Sequence, residues 1–221
     1  MTNEDFQTWV RREEWYQTIE LSGGVTTKGS VDSRKRYPAL ERIDVRGKRV
    51  LDIGCNSGAY SLWAKRHGAR EVIGIDIQDK RLEQARQLAR HEGLDITFAN
   101  RSLYDVGALG RFDVVFCFAV LTENPDLFGA LKAITSVVGD KLLLELHLAK
   151  PIAYVSKSKN YRIGYASMPR WKAVLEPRKA KHGWMIDPSL EVLRTVVGDE
   201  FRVEDRGPSV RYDLVEITRV A

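Results

Sequence analysis

Asp52, Gly54, Asn56 and Gly58 fall within one short stretch, and Asp76 closes the apolar run that follows. A strand that stops in glycines and turns straight into a helix lets backbone approach a ligand closely, because no Cβ stands in the way. An acid at the end of the next strand can accept both hydroxyls of a ribose, as in dinucleotide folds. The spacing here is G-x-x-x-G, with Asp52 two residues before the first glycine. It is not the G-x-G-x-x-G of a nicotinamide site. Asn56 stands between the two glycines, and Asn tolerates left-handed backbone better than most residues.

Other groups able to do chemistry are scattered. Glu123 lies just past a predicted strand at 112–118, and Glu145 and His147 sit on another at 141–147. His147 is a candidate general base, its ordinary pKa being close to working pH, or else a satisfied core histidine. Glu145 alternates with Leu144 and Leu146 and suits a salt bridge. His67, His91, His147 and His182 are far apart, with no carboxylate spacing to match, so no metal site is expected. Cys55 and Cys117 both fall in predicted core strands or turns, which reads as free thiols in a reducing cytoplasm.

The elements around these residues alternate strand and helix, the sign of a parallel, doubly wound sheet. Strands are predicted at 49–53, 71–76, 96–99, 112–118 and 141–147, with helices at 58–67, 79–92 and 125–138 between them. A helix at 188–197 and a closing pair of strands at 201–206 and 211–218 follow. Residues 3–17 read as an amphipathic helix with Phe6, Trp9 and Val10 on one face. Glycines and serine punctuate 18–36, which predicts a hairpin or looped crossing. Arg34, Lys35 and Arg36 in it read as a solvated cluster or a phosphate grip.

The chain of 221 residues suits one α/β domain with a cap segment at 1–46 and a cap insertion at 149–187. Its start is charged, without the apolar core of a signal peptide, and no run approaches a membrane span. The expectation is a cytoplasmic protein without membrane partners; the sequence is silent on oligomeric state. Net charge is +5 and the pI about 9.2, a lean towards anionic partners. Lys and Arg recur through 150–182, where Glu176 is the one acid, and Tyr154, Tyr161, Tyr165, Trp171 and Trp184 stand among or beside them. Such mixing can hold phosphates while stacking bases, or belong to a substrate cap whose lysines face water.

The stretch RVLDIGCNSGAYSLWAKRHGAREVIGID, residues 49–76, resembles motif I of class I S-adenosylmethionine (SAM) methyltransferases, with Asn56 where many members carry glycine. The resemblance implies a Rossmann-like sheet in the order 3-2-1-4-5-7-6 and SAM as donor, leaving S-adenosylhomocysteine (SAH). It also implies that Asp52, Gly54, Asn56 and Gly58 cradle the methionine end of SAM, Asp76 its ribose, and Ile77 its adenine. Ser102 and Leu103 would add adenine contacts, and Phe118 and Ala119 would stand beside the sulfonium. Methyl transfer is largely met by positioning, and a base matters only where the acceptor must lose a proton. Glu123 and His147 are the candidates for that role. Trp15, Tyr16, Arg162, Tyr165 and Trp184 are candidates to meet the acceptor, the first two as part of a lid.

WYQTIEL, LDIGCNSG, FDVVFCFAVL and LLLELHL also resemble the tRNA wobble-uridine carboxymethyltransferases and their smaller relatives. Those enzymes hold the extra carboxylate of carboxy-SAM with a Lys, a Tyr and an Arg. Gln17 and Thr122 stand at the first two positions here, with Arg211 for the third and Lys28 as a substitute for the Lys. A buried carboxylate lacking its cationic partners is costly. The expectation is therefore ordinary SAM and methylation of an oxygen or nitrogen on a small or mid-sized acceptor. RNA modification and a SAM-binding protein without catalysis are the alternatives.

Overall fold

The structure, a computed structural model, describes residues 2–148, 173–176, 185–210 and 212–220. It divides into two compact units, Met1–Ser102 with Phe112–Phe116, and Leu103–Arg111 with Cys117–Ala221.

The first unit opens on helix α1, Asn3–Arg12. Thr2 caps it, its hydroxyl accepting the Asp5 N–H while the Asp5 carboxylate accepts the Thr2 N–H. Phe6 and Val10 are buried, and Phe6 stacks on His91 at 3.6 Å. The helix stops short of the expected residue 17. The chain folds back after Glu13, and the Trp15 indole N–H donates to the Val10 carbonyl at 2.8 Å.

Strands β1, Gln17–Thr18, and β2, Val31–Asp32, then pair in parallel, a looped crossing instead of a hairpin. Thr27 closes the crossing: its hydroxyl donates to the Gln17 carbonyl at 2.7 Å and accepts the Ile19 N–H at 2.8 Å. Gly29 lies flat on the same backbone, where a Cβ would stand 2.2 Å from the Gln17 carbonyl carbon. Gly29→Ala must push two backbone segments apart, so we expect a loss of about 2–4 kcal/mol. Thermal denaturation checks this, and an unchanged melting temperature would contradict the packing.

A 3-10 turn, Ser33–Arg36, leads to helix α2, Tyr37–Leu40, and then to strand β3, Arg49–Ile53. Helix α3, Ala59–Arg66, strand β4, Glu71–Asp76, helix α4, Asp79–His91, and strand β5, Thr97–Asn100, follow. Leu82, Ala85, Leu88 and Ala89 form the buried face of α4, at the helical spacing read from the sequence. β4 runs parallel to both β3 and β5, with Asp52 opposite Gly74 and Asp76 opposite Asn100. Gly74 and Gly58 are both packed by the Phe98 ring, at 2.7 Å and 3.0 Å from where their Cβ atoms would stand. Strand β6, Phe112–Phe118, contributes the Asp113 carboxylate, which accepts the Arg49 N–H at 2.8 Å.

In the second unit, helix α5, Leu127–Ser136, is capped by the Asp126 carboxylate, which accepts the Gly129 N–H at 2.9 Å. Strand β7, Val138–Leu146, begins earlier than expected, because Gly139 and Asp140 extend the strand instead of turning. Strands β8, Ala173–Glu176, and β9, Met185–Pro188, form an antiparallel ribbon; the rest of the expected cap insertion lies outside the described residues. Helix α6, Leu190–Val197, capped by Ser189, precedes strands β10, Phe201–Pro208, and β11, Asp213–Arg219. β11 is antiparallel to both β10 and β7. Glu216 on β11 is clasped by Lys141 at 2.6 Å and Arg206 at 3.0 Å, and these partners outweigh burial to hold its carboxyl below the usual range.

Seven strands share one sheet in the order β10-β11-β7-β6-β3-β4-β5. This is the 3-2-1-4-5-7-6 order expected from motif I, read from the opposite edge.

Candidate active site

The glycine turn between β3 and α3 is built on left-handed backbone. Gly54 has φ 68°, Asn56 φ 52° and Gly58 φ 84°. Asn56 is tied down from both sides. Its N–H donates to Asp76 Oδ2 at 3.0 Å, and its side-chain oxygen accepts the Ser57 N–H at 2.8 Å. Asp76 Oδ1 accepts the Gln78 N–H at 2.9 Å. Each carboxylate oxygen of Asp76 therefore holds one backbone donor and keeps a lone pair for a ligand hydroxyl. Beside it Ile77 is 71% exposed, an apolar side chain placed in the open at a strand end.

Asp52, expected against the ligand, lies beneath the turn. It is 1% exposed and its Oδ2 accepts the Ser61 hydroxyl at 2.6 Å. Burial pushes its carboxyl up to about 7, with the nearby Asp76 charge adding in the same direction. Cys55 is buried as well, and burial pushes its thiol well above the ordinary range, so it is no nucleophile.

The N-terminal segment reaches the same turn. Gln17, 5% exposed, accepts the Ala59 N–H on its side-chain oxygen at 3.3 Å. Arg36, in the cluster expected to be solvated or to grip phosphate, is 5% exposed and donates to the Tyr60 hydroxyl at 2.5 Å. Arg34 is the one engaged at the surface, forked onto Asp32 and Glu20. The Gln84 amide joins the Ser57 hydroxyl to Glu13 and to the Glu14 carbonyl. Trp15 is buried with its N–H used by Val10, so it packs the segment and does not face an acceptor, whereas Tyr16 and Lys28 are exposed. Ser102, half-buried, closes the sequence after β5.

In the second unit Leu103 and Phe118 are half-buried, and Ala119 at the end of β6 takes φ 60°. Its N–H donates to the Glu145 carbonyl at 3.1 Å, and its carbonyl accepts the Thr122 hydroxyl at 3.0 Å. Glu145 is fully buried on β7. His147, just past β7, is half-buried with Tyr212 edge-on at 4.3 Å. Glu123 ends the 3-10 turn Leu121–Glu123, and its side chain lies outside the described residues. Arg162, Tyr165, Trp184 and Arg211 also lie outside them. Among the described residues no three His, Cys, Asp or Glu gather as a metal ion would need, and no helix is long and apolar enough to cross a membrane.

Sequence alone missed Gln17 and Arg36 as buried partners of α3. Their signal is tertiary, since nothing local marks which of the three basic residues 34–36 is the buried one.

Known proteins resemble parts of this chain. Residues 50–141 match a family described as "Methyltransferase domain". The ribosomal protein L11 methyltransferase of Burkholderia lata is 38% identical over 126 residues, which is 56% of this chain and 39% of that protein. The chain thus spans well under half the length of the curated relatives it matches. The N-terminal domain of EvdMO1, crystallised with SAH, superposes with a TM-score of 0.70 at 18% identity, covering 100% of this chain and 98% of that one. The magnesium protoporphyrin IX methyltransferase of Synechocystis PCC 6803, with bound SAM, gives 0.54 at 23% identity over 86% of this chain and 77% of that one.

Residues 50–141 thus match a methyltransferase domain, and the fold is the one shared with these SAM- and SAH-bound structures. None of these relatives is named as a tRNA wobble-uridine enzyme.

Proposed function

We propose that the protein methylates an oxygen or nitrogen of a small or mid-sized acceptor, with Asp76 holding the donor's ribose. The observation carrying this is the Asp76 carboxylate, pinned by the Asn56 and Gln78 N–H groups at the lip of a left-handed glycine turn. The turn, Ile77 and the strand-end residues fit a nucleoside: bare backbone for close approach, an acid for two hydroxyls, an apolar side chain for a base. When bound, SAM supplies a methyl group on an electrophilic sulfonium. The chain's own part is to hold that group and to line up the acceptor. Ser102, Leu103, Phe118 and Ala119 are assigned to the donor's surroundings. Glu123 and His147 are the groups proposed to take a proton from an acceptor that must lose one.

Two further considerations support this reading, the first on the acceptor and the second on the donor. The EvdMO1 domain, which shares the fold over the whole chain, was also crystallised in the presence of SAH and D-fucose. The replacement of the carboxy-SAM Lys and Tyr by Gln17 and Thr122 argues for plain methyl transfer. A protein acceptor, as in the L11 enzymes, is the competing case.

The test is transfer of label from methyl-labelled SAM into separate RNA, protein and low-molecular-weight fractions of a cell extract. We expect label in the small-molecule fraction, lost in Asp76→Ala. Label confined to nuclease-sensitive RNA, or to protein, would overturn the acceptor class.

A further inference from the structure

Strand β7 delivers His147 to a place where its ring is held by carbon contacts. In the antiparallel register Asp213 of β11 faces Leu146 of β7, and one step further Tyr212 stands across from His147. The two rings meet edge-on, with centroids 4.3 Å apart and planes at 78°. That is a T-shaped arrangement, one that aromatic rings favour. Backbone on both strands is fixed at the same point. The Tyr212 carbonyl accepts the Ser209 N–H at 2.7 Å, and Asp213 Oδ2 accepts the Leu148 N–H at 3.0 Å. On the other flank of β7, the Glu145 carbonyl accepts the Ala119 N–H from the end of β6 at 3.1 Å. His147 is half-buried, yet among the described residues no group bonds either imidazole nitrogen. His67 gives the contrast: its ring stacks on Trp63 and its Nδ1 lies 2.7 Å from the Trp63 carbonyl. Buried polar atoms are ordinarily matched, so a clamped ring with unspent nitrogens suits a group that meets a ligand.

We propose that Tyr212 is the positioning residue for His147, aiming the imidazole at the proton an acceptor must lose. The proposal rests on the reading of His147 as a base given above and adds the residue that orients it. Ligands of open α/β sheets bind outside the carboxyl ends of the strands, and His147 is the first residue past the end of β7. There the imidazole takes the acceptor's proton as the acceptor's lone pair bonds the methyl carbon and the carbon–sulfur electron pair returns to sulfur. A histidine ring at a strand end turns about two side-chain bonds, and few of those settings point a nitrogen at a given proton. A hydrogen-bonding partner would fix the ring by occupying one nitrogen. An aromatic edge contact fixes it and leaves both. Among the described residues the Tyr212 hydroxyl bonds nothing, so the ring carries the contact.

The test is a double-mutant cycle read as the rate of label transfer from methyl-labelled SAM into whole cell extract. His147→Gln is expected to slow transfer by on the order of 100-fold or more. Tyr212→Leu and Tyr212→Met, two variants without the ring, are expected to slow it on the order of 10-fold, and Tyr212→Phe to stay within about twofold. Added to His147→Gln, Tyr212→Leu should change the residual rate by less than about twofold, because a residue acting through the imidazole has nothing left to aim. SAH affinity by calorimetry and the melting temperature serve as controls and should hold. Equal slowing by Tyr212→Leu with and without His147, or a Tyr212→Phe as slow as Tyr212→Leu, overturns the positioning role and leaves the base. A His147→Gln protein that transfers label at the wild-type rate overturns the base reading and this proposal with it. A wild type that transfers no label overturns the proposed function itself.

Discussion

Asp76→Ala should reduce SAH affinity by at least 100-fold while leaving a folded protein. The carboxylate is 9% exposed and holds the N–H groups of Asn56 and Gln78, so its free lone pairs are already aimed. Two hydrogen bonds from ribose hydroxyls to a charged group contribute about 1.5–3 kcal/mol each. Losing both gives a factor beyond 100, since about 1.4 kcal/mol is tenfold. The substitution also releases the Asn56 N–H, loosening a non-glycine residue held at φ 52°. Asp76→Asn retains an acceptor and should lose less. Calorimetric titration with SAH, with circular dichroism as the folding control, decides the matter. Wild-type affinity in Asp76→Ala would remove Asp76 from the site.

The second large effect is on stability against pH. Asp52 is fully buried, and its folded carboxyl holds a proton up to about pH 7, against an ordinary value of 3.8. Between those values the folded state binds more protons at this position than the unfolded chain, so stability falls as pH rises through the window. The contribution is intact below about pH 4 and lost above about pH 7, a change on the order of 4 kcal/mol. Asp52→Asn keeps an acceptor for the Ser61 hydroxyl and removes the titration. We expect the variant to be the more stable protein at pH 8, with the gap narrowing towards pH 5. Chemical denaturation of both proteins across that range isolates the effect, because acids such as Glu92 and Glu216 are common to both. A gap that does not vary with pH would contradict the raised value.

The sheet was legible because its information is local and repeated. Each strand of the parallel core is an apolar run bounded by turn residues, and α4 shows its buried face in the spacing of Leu82, Ala85, Leu88 and Ala89. The glycine turn was legible for the same reason: the residue types at 54, 56 and 58 are those left-handed backbone selects, and all three take positive φ. What could not be read is held by partners distant in sequence. The end of α1 carries no glycine or proline and is fixed by the indole of Trp15 reaching Val10. The crossing of β1 and β2 depends on the Thr27 hydroxyl and on Gly29 lying against Gln17. Arg34, Lys35 and Arg36 look alike in the sequence; only the fold separates the surface-paired Arg34 from the buried Arg36.

The Phe98 ring, pressed against both Gly58 and Gly74, ties three positions on separate elements into one heritable unit. A side chain at either glycine would need a smaller residue at 98, and shrinking 98 alone opens a void beneath the glycine turn. Single mutational steps away from the trio pass through a damaged intermediate. The three should change together or not at all as homologous sequences diverge, and chimeras made by recombination should take all three from the same parent.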